Sequence, residues 1–87
     1  MQFVYLIQND LTKEIYIGIT NDVKRRLFEH NTGQQTSTRR KNGVWALIYV
    51  EAHRSSEDAY ERELRLKHHG SAKHELVKRL KKSLFES

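Results

Sequence analysis

Two short runs of aromatic and branched residues open the chain, Phe3-Val4-Tyr5-Leu6-Ile7 and Ile15-Tyr16-Ile17-Gly18-Ile19, and a polar link joins them. Runs of this length and composition read as strands. The link Gln8-Asn9-Asp10-Leu11-Thr12-Lys13 carries Asn-Asp turn chemistry, so the pair predicts a β-hairpin. The first run is apolar at every position and needs cover on both faces, which predicts the central strand of a sheet. The second alternates, with Ile15, Ile17 and Ile19 toward one face and Tyr16, Gly18 and Thr20 toward the other.

The remaining periodicity predicts one more strand and three helices. A helix is expected from about Asp22, capped by Thr20 or Asn21, with Val23 and Leu27 as its apolar stripe and Phe28 widening it. Asn31-Thr32-Gly33 ends it, and Gln34 to Gly43 reads as a polar, basic loop. Val44 to Val50 is the third strand. Ser55 or Ser56 caps a second helix that runs to about His69, Ser55 and Asp58 resembling a capping box. Gly70 is expected to break it, and Ser71 to cap a third helix reaching about Leu84, with Leu76, Val77, Leu80 and Leu84 as its buried stripe. The order β-β-α-β-α-α predicts an α+β domain, a three-stranded antiparallel sheet flanked by three helices and spanning residues 1–87.

Composition narrows the function classes. The chain of 87 residues has no cysteine, which excludes a disulfide framework and a thiolate metal site. No apolar run approaches the roughly 20 residues that cross a bilayer, and the N-terminus has no basic region before an apolar stretch, so a cytoplasmic protein is expected. The formal charge of +5 suggests an acidic partner, most often nucleic acid.

Several residues carry candidate chemistry. Val23, Arg26, Leu27 and His30 share one helical face, so Arg26 and His30 border the apolar stripe, whereas Lys24 and Arg25 point elsewhere, to solvent or to phosphate. An arginine at a sheet-facing border either snorkels over the core or binds phosphate bidentately. Ala59, Glu63 and Leu66 share the packed face of the second helix, where a carboxylate needs a cation. Either a salt bridge to Arg26 or Arg62, or a metal ion, would supply it. Tyr5 and Tyr16 lie on neighbouring strands, where they either fill the core or serve a site, and Gly18 inside a strand often marks a close approach of backbone or ligand. The set could converge on one sheet face and would suit one-metal hydrolysis of a phosphodiester.

This constellation resembles the GIY-YIG endonuclease family over essentially the whole chain. Tyr5 matches the tyrosine of the first family tripeptide, and Tyr16-Ile17-Gly18 matches the second motif in full. Arg26 falls at the family's catalytic arginine, His30 where members carry a histidine or tyrosine, and Glu63 in Arg62-Glu63-Leu64-Arg65-Leu66-Lys67 at the metal-binding glutamate. The stretch from Tyr16 to Asn31 is especially like the small stand-alone bacterial members and the N-terminal domain of excinuclease C. The resemblance implies Mg²⁺- or Mn²⁺-dependent cleavage of DNA, as in repair. Tyr16 or His30 would help deprotonate water, Tyr5 would bond Tyr16 or the nucleophile, Arg26 would bind the scissile phosphate and Glu63 would hold the metal. Gly18, Arg25, Arg39, Arg40, Lys41 and Lys67 would meet the nucleic acid, and the charges of the third helix, Lys73, Lys78, Arg79, Lys81 and Lys82, are either further phosphate contacts or an ordinary solvated face. Recognition of nucleic-acid shape or ends, or recruitment by a partner protein, is then expected. The chain departs from the family at Phe3-Val4 in place of Gly-Ile, at Ile19 in place of a lysine, and in lacking an asparagine after Glu63. The alternative is a catalytically weak nucleic-acid-binding module that keeps the fold.

Overall fold

A computed structural model describes residues 1–35, 38, 42–68 and 70–86. The elements run β1 (Gln2–Asn9), β2 (Ile15–Thr20), α1 (Val23–Asn31), β3 (Trp45–His53), α2 (Ser56–His68) and α3 (Gly70–Arg79). The three strands form one antiparallel sheet in the order β2-β1-β3, so the all-apolar first run is the central strand. From Val4 to Asn9 every residue of β1 is buried, as cover on both faces requires.

Alternation along β1 sorts the core into two clusters. Val4 and Leu6 pack with Ile17, with Ala59 and Leu66 of α2 and with Leu76 of α3. Tyr5 and Ile7 pack on the other face with Trp45, Tyr16 and Leu27 of α1. One helix therefore covers one face and two cover the other.

Several boundaries differ from expectation for identifiable reasons. Asp22, not Thr20 or Asn21, caps α1: its Oδ1 accepts the Arg25 amide at 3.0 Å. Thr20 Oγ1 instead accepts the Asp22 amide and fixes the entry to the cap. The end of α1 is a Schellman turn, with Gly33 at φ 77° and the Gln34 amide donating to the Glu29 carbonyl at 2.9 Å. Phe28 does not widen the apolar stripe but is exposed, because it lies about 100° round the helix from Leu27 and away from the sheet. β3 extends to His53 because Gln2, Phe3 and Val4 remain paired with His53, Ala52 and Glu51. Ser55 caps α2, its Oγ accepting from the Asp58 amide at 3.3 Å. α2 ends at His68, before Gly70 as expected, but Gly70 itself begins α3 ahead of Ser71, and α3 ends at Arg79, with hydrogen-bonded turns carrying Leu80 and Leu84 onto the core.

Gly18 is set by its cross-strand neighbour. It pairs with Tyr5, whose ring lies over it, and a Cβ there would come within 2.6 Å of Tyr5 Cζ and closer still to the hydroxyl. Gly18→Ala is expected to displace Tyr5 and cost about 1–3 kcal/mol, the range for overpacking a core. Urea denaturation of the two proteins checks this. An unchanged midpoint would mean that the Tyr5 ring is free to move aside.

Candidate active site

The site is built on a buried hydrogen-bonded chain. Tyr5 and His30 are each 2% exposed, and Tyr5 Oη lies 2.8 Å from His30 Nε2. His30 Nδ1 lies 2.8 Å from Thr38 Oγ1. Both imidazole nitrogens are thus engaged. Burial is the main cause that lowers the His30 pKa below its ordinary value, and the nearby Arg26 charge adds to it. Burial likewise raises the Tyr5 pKa, with Tyr16 and Glu63 adding to the rise and Arg26 opposing it. Tyr5 and His30 are therefore held as a neutral pair.

Tyr16 stands over this pair. Its register partner on β1 is Ile7, so Tyr5 and Tyr16 are diagonal neighbours, with ring centroids 6.3 Å apart. The His30 ring meets Tyr16 edge-on at 4.9 Å. Unlike Tyr5, Tyr16 is only partly buried.

Arg26 lies one turn before His30 on the same face of α1. Its Nε is 3.1 Å from Glu29 Oε1, yet the N–H is not aimed at that oxygen, so this buried donor makes no hydrogen bond. Glu29 also pairs with Arg25 and accepts from Gln35 Nε2.

Glu63 is buried on α2, but its partner is neither Arg26 nor Arg62. Arg62 turns to β3 and binds Glu51 through Nε and Nη2 at 2.9–3.1 Å, as a bidentate pair. Tyr49 and His53 also bond Glu51. Burial alone would raise the Glu51 pKa, but the hydrogen bonds from Arg62, Tyr49 and His53 outweigh it and hold the carboxyl low. Glu63 pairs instead with Lys67 one turn later, at 3.3 Å. The Lys67 ammonium also lies 5.4 Å from the centre of the Tyr16 ring.

The expectation of convergence on one sheet face needs correction. Tyr5, Tyr16 and His30 gather on the α1 side, whereas Glu63 belongs to the helix covering the other side. Lys67 links the two at β2, and the Glu63 charge is felt at Tyr5. Gly18 contributes space for Tyr5, and Arg25 Nη2 bonds Asn21 at 3.2 Å on the surface. Arg39, Arg40 and Lys41 lie outside the described residues.

Two participants escaped the sequence reading. Thr38 is buried by its bond to His30 although it sits in a polar stretch with no periodic signal. Asn31, expected only to end a helix, exchanges two side-chain bonds with the Trp45 backbone at 2.8 and 3.0 Å and ties the end of α1 to β3.

A three-stranded sheet with a tyrosine pair, an arginine–histidine helix and a glutamate helix defines a GIY-YIG type of domain. Residues 1–82 match the GIY-YIG catalytic domain, and the chain belongs to that family. It is 37% identical over 78 residues to a UPF0213 protein of Halobacterium salinarum, covering 88% of this chain and 99% of that one. It is 44% identical over 45 residues to UPF0213 proteins of Streptococcus agalactiae, a match covering 52% of this chain and 51% of theirs. The chain thus spans about half the length of these streptococcal relatives. The solution structure of a UPF0213 protein of Bacillus halodurans superposes with a TM-score of 0.56 at 32% identity, over 93% of this chain and 86% of that one. The chain is therefore a member of a nuclease family of the small UPF0213 type. Among the described residues no helix is long and apolar enough to cross a membrane.

The buried neutral His30 gives a pH prediction. Its folded pKa lies below the ordinary 6.5, so below that pH the unfolded chain binds more protons. Stability is full above about pH 6.5 and falls as pH drops toward the folded pKa. The Glu51 contribution is lost only further down, below the ordinary carboxylate value of 4.5. Urea unfolding at pH 7.5 and 5.5 is expected to show this loss in the parent and a smaller one in His30→Gln. Equal losses would exclude His30 as its source.

Proposed function

We infer that the chain is a nuclease that hydrolyses phosphodiester bonds in DNA, with a divalent cation, Mg²⁺ or Mn²⁺, as cofactor. The observation carrying this reading is the Tyr5–His30–Thr38 chain beneath the partly exposed Tyr16, with Arg26 and Glu63 acting on it from either side. A core that needed only filling would hold apolar side chains there.

In this reading Tyr16 and His30 have different roles. His30 has both nitrogens bonded and is shielded from water, so it orients Tyr5 and supports the Tyr16 ring. Tyr16, partly exposed above this pair, is the group we assign as general base toward the attacking water. Arg26 binds the scissile phosphate through its guanidinium and offsets its growing charge.

Glu63 would hold the cation. Among the described residues no group of three His, Cys, Asp or Glu is placed to hold a metal, so the assignment rests on the Glu63 carboxylate. That suits Mg²⁺, which keeps several waters and binds through one or two carboxylates plus substrate phosphate. The cation would supply charge neutralisation at the phosphate. Lys67 must yield its place beside Glu63, and that ion pair favours the second reading, a nucleic-acid-binding module of weak catalysis. Basic surface contacts alone carry no sequence information, so recognition would be of DNA shape or ends, or through a recruiting protein.

Cleavage of labelled single-stranded, nicked, flapped and duplex DNA with Mg²⁺ or Mn²⁺ tests the reading. Tyr16→Phe is expected to lower the rate about 10²–10⁴-fold, the usual worth of general acid–base catalysis. Glu63→Ala is expected to abolish metal-dependent cleavage and leave metal-free binding intact or stronger, since a charge repelling phosphate is removed. Binding without cleavage by the parent would favour the second reading.

A further inference from the structure

With strand order β2-β1-β3, β2 has a strand neighbour on one side only among the described residues. At β2 lies a shallow cleft of about 210 Å³ lined by Ile15, Tyr16, Ile17, Leu66, Lys67 and Lys73. Its chemistry is mixed. Ile15 and the partly exposed Tyr16 ring supply the open apolar surface, buried Ile17 and Leu66 form the floor, and lysines arrive from two helices. Lys67 comes from the last turn of α2 and Lys73 from the first turn of α3. Lys67 already lies near the Tyr16 ring and beside Glu63, so the cleft adjoins the catalytic groups.

The other basic residues after Lys73 do not share this position. Lys78 and Lys81 line a separate hollow with Val77, Leu84 and Phe85. Lys73 is thus distinguished on α3 by the cleft it borders, not by its charge.

Apolar and aromatic surface next to ammonium groups is the combination that binds single-stranded nucleic acid, with bases on the flat surface and phosphates on the cations. The cleft is smaller than the ~300–1,000 Å³ of sites for drug-sized ligands, which suits one base and not several. A base inside a duplex has both faces stacked and cannot enter.

We propose that this cleft is a subsite for one unpaired nucleotide flanking the scissile phosphate, with Lys67 and Lys73 on its phosphates. The position of the scissile phosphate rests on the nuclease reading; the preference for an unpaired nucleotide rests on the cleft. The substrate class is then single strands, frayed ends or flaps, and fully paired duplex lacks the group that fills the cleft.

The test is metal-free fluorescence anisotropy with a ten-residue oligothymidylate and a blunt hairpin duplex, at several salt concentrations. The proteins are the parent and the variants Lys73→Ala and Lys78→Ala, both altered at exposed positions. The expected result is tighter binding of the single strand by the parent. Lys73→Ala should weaken it roughly fivefold and flatten the log-log salt slope by about 0.7, one single-strand phosphate contact. Duplex binding by Lys73→Ala, and single-strand binding by Lys78→Ala, should stay near parental values. Equal losses from the two lysine variants, an equal loss on duplex, no loss from Lys73→Ala, or no single-strand binding by the parent would each overturn the subsite. Failure of the nuclease reading is separate. It appears as absent metal-dependent cleavage by the parent while the Lys73 pattern in binding persists.

Discussion

The bond between Tyr5 and His30 is the interaction on which the site depends. A buried phenol needs a hydrogen-bond partner, and so does a buried imidazole. Each supplies the other, and Thr38 completes the histidine. The Tyr5 ring reaches this position only because Gly18 has no side chain beneath it. His30 in turn is the one fully buried residue of α1, so its bond sets how that helix is rotated on the sheet. Arg26, one turn earlier, is carried to the same border by helical spacing alone. A glycine on β2 thereby determines where an arginine on α1 stands.

An analogous constraint acts on the other layer. Arg62 is held to Glu51 of β3 by a bidentate pair, a geometry that point charges do not enforce. Glu63 follows it by about 100° of rotation and is turned inward, in line with Ala59 and Leu66. The acidic residue that suits a metal is therefore oriented by an ion pair in which it takes no part. Two helices on opposite faces are fixed to the sheet by polar bonds, α1 through His30 and Asn31 and α2 through Arg62, and their functional side chains follow from residue spacing.

This division explains what was legible in the sequence. The hairpin, the central β1 and the sheet-facing positions of Arg26, His30, Glu63 and Leu66 follow from periods of 2 and 3.6 residues, which burial enforces directly. Periodicity does not say which face of the sheet a helix covers, so the separation of Glu63 from the tyrosines was not readable. It is also silent on partners. Arg62 with Glu51, Glu63 with Lys67 and His30 with Thr38 are choices among several residues within reach, decided by tertiary geometry. Phe28 was misread because an aromatic residue suggests burial, while its helical angle faces solvent.

The charged groups of the site are all partnered before any substrate arrives, but loosely. Arg26 faces Glu29 at an angle that makes no hydrogen bond, and Glu63 faces Lys67, whose side chain is 36% exposed. Pairs of this partly exposed kind are worth about 0–1 kcal/mol, so they hold side chains in place without competing strongly for them. A phosphate offers Arg26 the directed bidentate contact that Glu29 does not, and a divalent cation offers Glu63 a stronger charge than an ammonium does. If a cation displaced it from Glu63, Lys67 would still lie beside Tyr16 in the cleft at β2, where it would meet a phosphate. Substrate and metal would thus exchange partners in a charge network that already exists. The buried Tyr5–His30–Thr38 chain, which has no such weak link, stays fixed beneath them.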